Sequence, residues 1–429
     1  MVNQSSGRSP MDQLKASGKP FDISKQEVWD AWIKVKGNQG APGVDGVSIE
    51  EFEKDLRGNL YKIWNRMSSG TYFPPPVMAV EIPKQHGAPG TRVLGVPTVA
   101  DRIAQTVVAA YLEKRVEPIF HPDSYGYRPR RSALDAVGTC RRRCWKYDWV
   151  IDIDIRKFFD SVRWDLVLKA VEAHTDARWV VLYVTRWLAA PLQQPDGTLR
   201  TRDRGTPQGS AVSPVLANLF MHYAFDRWLV REFPGVAFER YADDAVVHCT
   251  SASQARRVLA ALQGRMAEVG LELHPDKTKI VYCKDSNRRG SFEQVSFTFL
   301  GYTFLPRSAQ RRDGVVFTAF LPAVSREALK KMSTSVRSWR LHRRINSTEA
   351  DLARMINPIV RGWMAYYGAF YHTELTPVLD RINTYLLRWI MKKYRKSGTL
   401  RKARQAMAQA AARRPRYFAH WIWVKPAVK

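Results

Sequence analysis

A chain of 429 residues with 45% hydrophobic residues and 14 Trp is long enough for two or three domains and apolar enough to bury a core, which excludes a disordered protein. Four cysteines (Cys140, Cys144, Cys249, Cys283), none in a C-x-x-C pair, exclude a disulfide framework and argue against a structural zinc site. Residues 1–20 lack the apolar core of a signal peptide, and no run approaches the ~18 apolar residues of a membrane span, so a soluble intracellular protein is expected. The formal charge of +28 asks for a polyanionic partner, and its distribution says where: residues 305–429 hold 26 Lys/Arg against 6 Asp/Glu, and no acid follows Arg381. A solvated face normally mixes both signs, so nucleic acid is the expected partner.

In chain order, residues 1–24 read as a polar arm. Ser24-x-x-Glu27 is a capping-box pattern opening a helix through Val28, Trp32 and Val35. The Gly-rich turn 37–46 lacks P-loop spacing, and a second helix is expected over 49–68, closed by Gly70. Residues 77–82 form a strand, followed by a Pro/Gly turn flanked by Lys84 and Arg92. These two cations suit a triphosphate, although a pair of solvated loop cations is the bland alternative. Thr98-x-x-Asp101 caps the next helix. Tyr125-Gly-Tyr-Arg-Pro-Arg-Arg then alternates aromatics with Arg128, Arg130 and Arg131, a composition that stacks on bases and grips phosphates, or packs.

Residues 149–155 (WVIDIDI) form an apolar–acid strand with Asp152 and Asp154 on one face, either a plausible metal ligand. Phe158-Phe159 follow, to pack on a sugar or fill the core. The loop 204–214 (RGTPQGSAVSP) leads into a helix. Residues 238–249 (FERYADDAVVHC) then read as strand, tight turn, strand, with Asp243-Asp244 at the turn. A lone Asp pair is ordinarily a solvated turn. A second carboxylate cluster on another strand is what a pair of Mg²⁺ ions needs for nucleotidyl transfer. Lys277 and Lys279 lie on a further strand–turn–strand, and 297–304 is an aromatic β-segment. After Leu321 the apolar period changes from two to 3.6, giving three helices opened by Ser325, Thr348 and Thr376-Pro377 with basic outer faces.

The ordered motifs GNQGAPGVDG, VEIPK with RVLGVPTVADRIAQ, EPIFHPDSYGYRPRRSALDAV, VIDIDIRKFFDSV, GTPQGSAVSPVLANLF, FERYADDAVVHC, LELHPDKTKIVYCK and FTFLGYTF, followed by INPIVRGWMAYYGAFY, resemble the reverse transcriptase–maturases encoded by bacterial group II introns over about residues 25–395. The resemblance implies an α+β right-hand polymerase, with fingers and a palm built on an antiparallel sheet (25–305) and a helical thumb or maturase domain (306–395). A basic segment, 396–429, is a candidate DNA-binding remnant. It implies an RNA-directed DNA polymerase using two Mg²⁺, with Asp154, Asp243 and Asp244 as the catalytic carboxylates and the Ile155 carbonyl as a further metal ligand. Phe159 takes the place of a steric gate against the 2′-hydroxyl. Lys84, Arg92, Gln208 and Lys277 match nucleotide-binding positions.

Implied partners are dNTPs, an RNA template with a DNA primer, target DNA, and a group II intron RNA whose splicing and retrohoming the protein promotes in the bacterial cytoplasm or nucleoid. Candidate nucleic-acid contacts in the helical part are Arg340, Arg343, Arg344, Arg361, Lys392 and Lys393. The paired cysteines of the family's HNH endonuclease domain do not occur here, so target-strand cleavage is not expected. A recruited host role without an intron, or RNA binding alone, are the competing readings.

Overall fold

Ser24 and Ser48 each accept through the side chain from the backbone N–H of the Glu three residues on and donate their own backbone N–H to that Glu's carboxylate, so two capping boxes open the chain's first helices. The computed structural model describes residues 19–83, 91–394 and 399–426; most of the polar arm, and Lys84, lie outside them. Helix α1 (Lys25–Asn38) buries the expected Val28, Trp32 and Val35. The single helix expected over 49–68 is two, α2 (Ile49–Lys54) and α3 (Leu56–Ser69). Asp55 leaves helical geometry at φ −126° and caps the Gly58 N–H at 3.2 Å. Strands β1 (Val77–Pro83) and β2 (Thr91–Val96) pair antiparallel, and α4 (Val99–Val116) starts on the Thr98 cap.

Next come α5 (Ala133–Cys144), β3 (Trp149–Ile153), α6 (Phe158–Ser161), α7 (Trp164–Glu172) and α8 (Arg178–Ala189). The short strands β4 (Leu192–Gln193) and β5 (Leu199–Arg200) complete the first sheet, with order β2-β1-β4-β5. Helix α9 (Ser213–Met221) passes through one π-helical turn, His222–Asp226, into α10 (Arg227–Glu232). Strands β6 (Ala237–Tyr241) and β7 (Asp244–Cys249) follow, then α11 (Ala252–Glu268), β8 (Lys279–Tyr282), β9 (Phe297–Phe299), β10 (Tyr302–Gln310) and β11 (Val316–Val324).

The central sheet, β6-β7-β3-β8, is antiparallel throughout. Its period-two alternation separates two cores. Ile151, Ile153, Ala245 and Val247 face the core shared with α1, α4, α9 and α11. Val150, Val246 and Val281 face α5 and the rings of Phe297, Phe299, Phe304 and Phe320 from the β9-β10-β11 sheet. Asp152, Asp154 and Asp244 continue that second face toward the end of the sheet, where apolar cover gives way to acid.

The helical part is α12 (Arg326–Ser338), α13 (Glu349–Tyr367), α14 (Thr376–Lys393) and α15 (Leu400–Arg413). It begins at Arg326 rather than at 306, because β10 and β11 pair over nine positions from Tyr302↔Val324 to Gln310↔Val316 and carry the strand alternation through that point. The described residues of the basic segment 396–429 are not a separate tail. Ala403, Met407 and Ala411 on one face of α15, with Phe418, Trp421 and Val424, share one core with α12, α13 and α14.

Beneath the β6–β7 turn lies a buried ion pair. Arg240, wholly buried, donates to both carboxylate oxygens of Asp226 at 2.7 and 2.6 Å. The π-turn adds the extra residue that brings Asp226 under β6. The same guanidinium donates to the Ala242 carbonyl (2.8 Å), Asn218 Oδ1 (3.1 Å) and Ser124 Oγ (2.8 Å). Stripping one partner from such a pair strands the other charge in the core, at about 3–5 kcal/mol. Arg240→Met should therefore lower Tm sharply, whereas Arg240→Met combined with Asp226→Leu should recover part of the loss; thermal denaturation of both variants checks this.

Candidate active site

The tight turn between β6 and β7 places Ala242 in the left-handed region (φ +59°) and fixes Asp243 and Asp244 in space. Three contacts hold it from below. Arg240 binds the Ala242 carbonyl; Tyr125 N–H donates to the Arg240 carbonyl at 2.8 Å; and Arg240 N–H donates to the Asp123 carbonyl at 2.9 Å. Gly126 lies so close that a Cβ there would sit 2.4 Å from Ala242 N, and Asn218 binds its carbonyl at 2.6 Å. The aromatic–Arg stretch is thus first of all a brace for the acidic turn.

Strand β3 brings the other acids alongside, because Ile153 pairs with Ala245 and sets Asp154 next to Asp244 across the strands. Asp154 is held by its backbone. Its carbonyl accepts from His274 N–H at 2.8 Å, and its carboxylate meets Lys277 Nζ at 3.2 Å. Ile155 forms a bridge with Leu273 in which Arg156 N–H and the Asp154 carbonyl take the hydrogen bonds. In that arrangement the Ile155 carbonyl points away from Leu273, toward the β7 side.

Burial raises the carboxyl of Asp244 well above its ordinary value, with the charges of Asp152, Asp243 and Asp154 adding to it; the Leu300 N–H pulls the other way. Burial likewise raises Asp243, helped by Asp154 and opposed by Arg92 and Arg240. Asp152 is pushed up to about 7 by burial, against the pull of Lys279 and with Asp154 adding to it. Four acids crowd one end of the sheet with too little positive charge of the protein's own, the electrostatic signature of a cation site. They do not close into one tight cage. The tight group of possible ligands among the described residues is Cys140, Glu239 and His248, where Glu239 and His248 already pair at 2.6 Å.

The residues that the resemblance assigns to the nucleotide also meet. Arg92 Nε on β2 donates to the Gln208 side-chain oxygen, and Gly95 N–H donates to the Gln208 carbonyl at 2.7 Å. Phe159 is half-buried, edge-on to Phe158 with centroids 5.2 Å apart, and its carbonyl takes the Thr206 N–H at 2.7 Å. Lys279 on β8 stands opposite Asp152 on β3, and its charge draws the Asp152 carboxyl down.

The nucleic-acid contacts divide. Arg130, Arg131, Arg340, Arg343, Arg361 and Lys392 stand exposed. Arg128 does not: it is buried, bidentate to Glu117 and donating to the His121 and Ser124 carbonyls at 2.7 Å, so it stiffens the brace instead of gripping phosphate. Arg344 is exposed too, with its Nε donating to the Trp339 carbonyl at 3.0 Å, and partly buried Lys393 donates its Nζ to the Ser347 carbonyl at 2.5 Å. Arg240, Asp226 and Asn218 carried no sequence signal of a role beyond a strand and a helix.

The family model described as "Reverse transcriptase (RNA-dependent DNA polymerase)" matches residues 82–304, and that of the "Group II intron, maturase-specific domain" matches residues 329–408. YkfC of Escherichia coli K12 is 31% identical over 308 residues, 63% of this chain and 77% of that protein. The group II intron-encoded protein LtrA of Lactococcus lactis is 29% identical over 45% of this chain, a match that spans only 32% of LtrA. A Candida albicans telomerase structure overlaps 88% of this chain and 68% of its own at 11% identity and a TM-score of 0.47. Among the described residues no helix is long and apolar enough to cross a membrane. Reverse transcriptases generally depend on Mg²⁺, and the two matched domains imply template–primer and intron RNA as the nucleic acids bound. The chain belongs to the reverse transcriptase family, as an RNA-directed DNA polymerase carrying a group II intron maturase-specific domain.

Proposed function

We propose that Asp154, Asp243 and Asp244, with the Ile155 carbonyl, hold two Mg²⁺ ions, and that this centre copies RNA into DNA from dNTPs. The observation that carries the reading is the crowd of raised carboxylates at the end of the central sheet. All the donors are hard oxygens, the set Mg²⁺ prefers, and two such ions are what nucleotidyl transfer uses. Bound there, the metal supplies Lewis acidity at a primer 3′-hydroxyl and neutralises triphosphate charge.

The protein's own groups do the positioning. Arg92 and Gln208 orient the triphosphate and nucleotide, with Lys84 assigned the same task by its place in the motif. Phe159, tied through its carbonyl to the loop that bears Gln208, closes the space a ribose 2′-hydroxyl would need. Lys277 balances Asp154 until a cation takes over. The exposed basic faces of α14 and α15 grip a template–primer duplex and the intron RNA through their backbones, and bring the reverse-transcribing centre to target DNA.

Asp243→Asn should cut Mg²⁺-dependent dNTP incorporation on an RNA template by more than about a hundredfold, since a metal ligand is removed. The same variant should still promote splicing of a cognate intron at low Mg²⁺; primer extension and splicing assays side by side read both. Phe159→Ala should admit rNTPs, seen as a rise in the ratio of rNTP to dNTP incorporation, and an unchanged ratio would remove the gate role. Replacing Arg381, Arg388, Lys392 and Arg401 with Gln should weaken duplex binding and flatten its salt dependence, the log–log slope falling by roughly 0.9 for each phosphate no longer neutralised; filter binding across a salt series measures the slope.

A further inference from the structure

A second buried polar chain runs from the fingers helices to the loop that carries Gln208. Asp101, in the first turn of α4, is wholly buried. Its carboxylate accepts from Tyr72 OH at 2.9 Å, Trp187 Nε1 at 2.7 Å and Gln105 Nε2 at 2.9 Å. Gln105, 1% exposed, turns its oxygen the other way, accepting from Ser210 Oγ at 2.6 Å and from the Ala211 N–H at 2.7 Å.

This amide has one workable orientation. A backbone N–H can only donate, and an ionised carboxylate can only accept. Burial lifts the Asp101 carboxyl to about 6, but the three donors converging on its two oxygens are the partners of an ionised acceptor. Ser210 and Ala211 directly follow Gln208 and Gly209. Gly209 adopts φ +113° and presses on β2 so closely that a Cβ would lie 2.4 Å from the Gly95 carbonyl oxygen. The loop is therefore gripped by β2 on one side and by Gln105 on the other, with the Gln208–Arg92 contact between them.

We propose that Gln105 and Asp101 are positioning residues for the incoming nucleotide, a hydrogen-bond relay of fixed polarity that sets the loop bearing Gln208 and, through it, Arg92. This rests on Gln208 and Arg92 facing the nucleotide. Neither Gln105 nor Asp101 touches substrate; each acts through the loop.

The polarity itself supplies the test, because both single changes are nearly isosteric. Gln105→Glu sets carboxylate against carboxylate. Asp101→Asn sets amide against amide or, if Gln105 turns over, sets an NH₂ against the Ala211 N–H. The double variant restores a complete chain: the new amide at 101 donates to the new carboxylate at 105, which still accepts from Ser210 and Ala211. In single-nucleotide extension at saturating template–primer, each single variant should raise the KM for dNTP about tenfold or more, with kcat changed far less, and the double variant should return toward the parent value.

Singles that leave KM unaltered, or a double no better than the worse single, would overturn the relay. If the singles do not fold, Ser210→Ala removes one donor to Gln105 and should raise KM about threefold; an unchanged KM there overturns it equally. Gln208→Ala separates the two layers. If it leaves KM unchanged, the nucleotide-facing reading of the loop falls; if it raises KM while the Gln105 variants do not, the relay alone falls.

Discussion

The buried contact between Arg240 and Asp226 is the constraint on which the rest of the centre depends. A charge pair with no exposure is expensive to form and expensive to break, so it is kept where it does something that packing cannot. Here it converts three separate elements into one platform. The π-turn delivers Asp226, β6 delivers Arg240, and the 123–126 segment closes over both through Ser124, Tyr125 and Gly126. What the platform supports is a short turn with a left-handed alanine and two carboxylates that repel each other. Repelling groups stay close only if their backbone cannot relax, and the Arg240 bond to the Ala242 carbonyl denies it that freedom.

The same division of labour runs through the molecule. Acids gather at the end of the central sheet, where they raise one another's carboxyls, while cations gather on the outer faces of the last helices. The first arrangement attracts small divalent cations; the second attracts a polymer of phosphates. Between them, the first sheet carries Arg92, and the loop from Gly205 to Ala211 is tied at once to α6 through Phe159 and to α4 through Gln105. Side chains expected to face the nucleotide thus belong to elements braced by buried hydrogen bonds, the condition under which a site keeps its geometry without a ligand present.

Much of this was legible in one dimension. The capping boxes at Ser24 and Thr348, the strand alternation around Asp152 and Asp154, and the hairpin at 238–249 are local patterns, and local physics decides them. The misreadings share a cause. Asp55 split an expected helix because a single side chain captured a backbone N–H at Gly58. Strand alternation past residue 305 and the small-residue stripe of α15 were weak signals whose meaning depended on a partner, β11 in one case and α14 in the other. Arg128 looked like a phosphate contact because a basic residue reads the same whether its charge meets solvent, a ligand or a buried carboxylate.

Taken by itself, the sequence determined the caps that open several helices, the sign and location of the charge, and which carboxylates stand on one face of a strand. Those follow from propensity, periodicity and composition, none of which needs a distant neighbour. Only the tertiary structure decided that Asp154 lies beside Asp244, that Arg240 holds the acidic turn by way of Asp226, and that Gln105 faces Ser210 and Ala211. Each of these is a contact between residues far apart in the chain. Its energy comes from desolvation and hydrogen-bond geometry that exist only after the cores have closed around them.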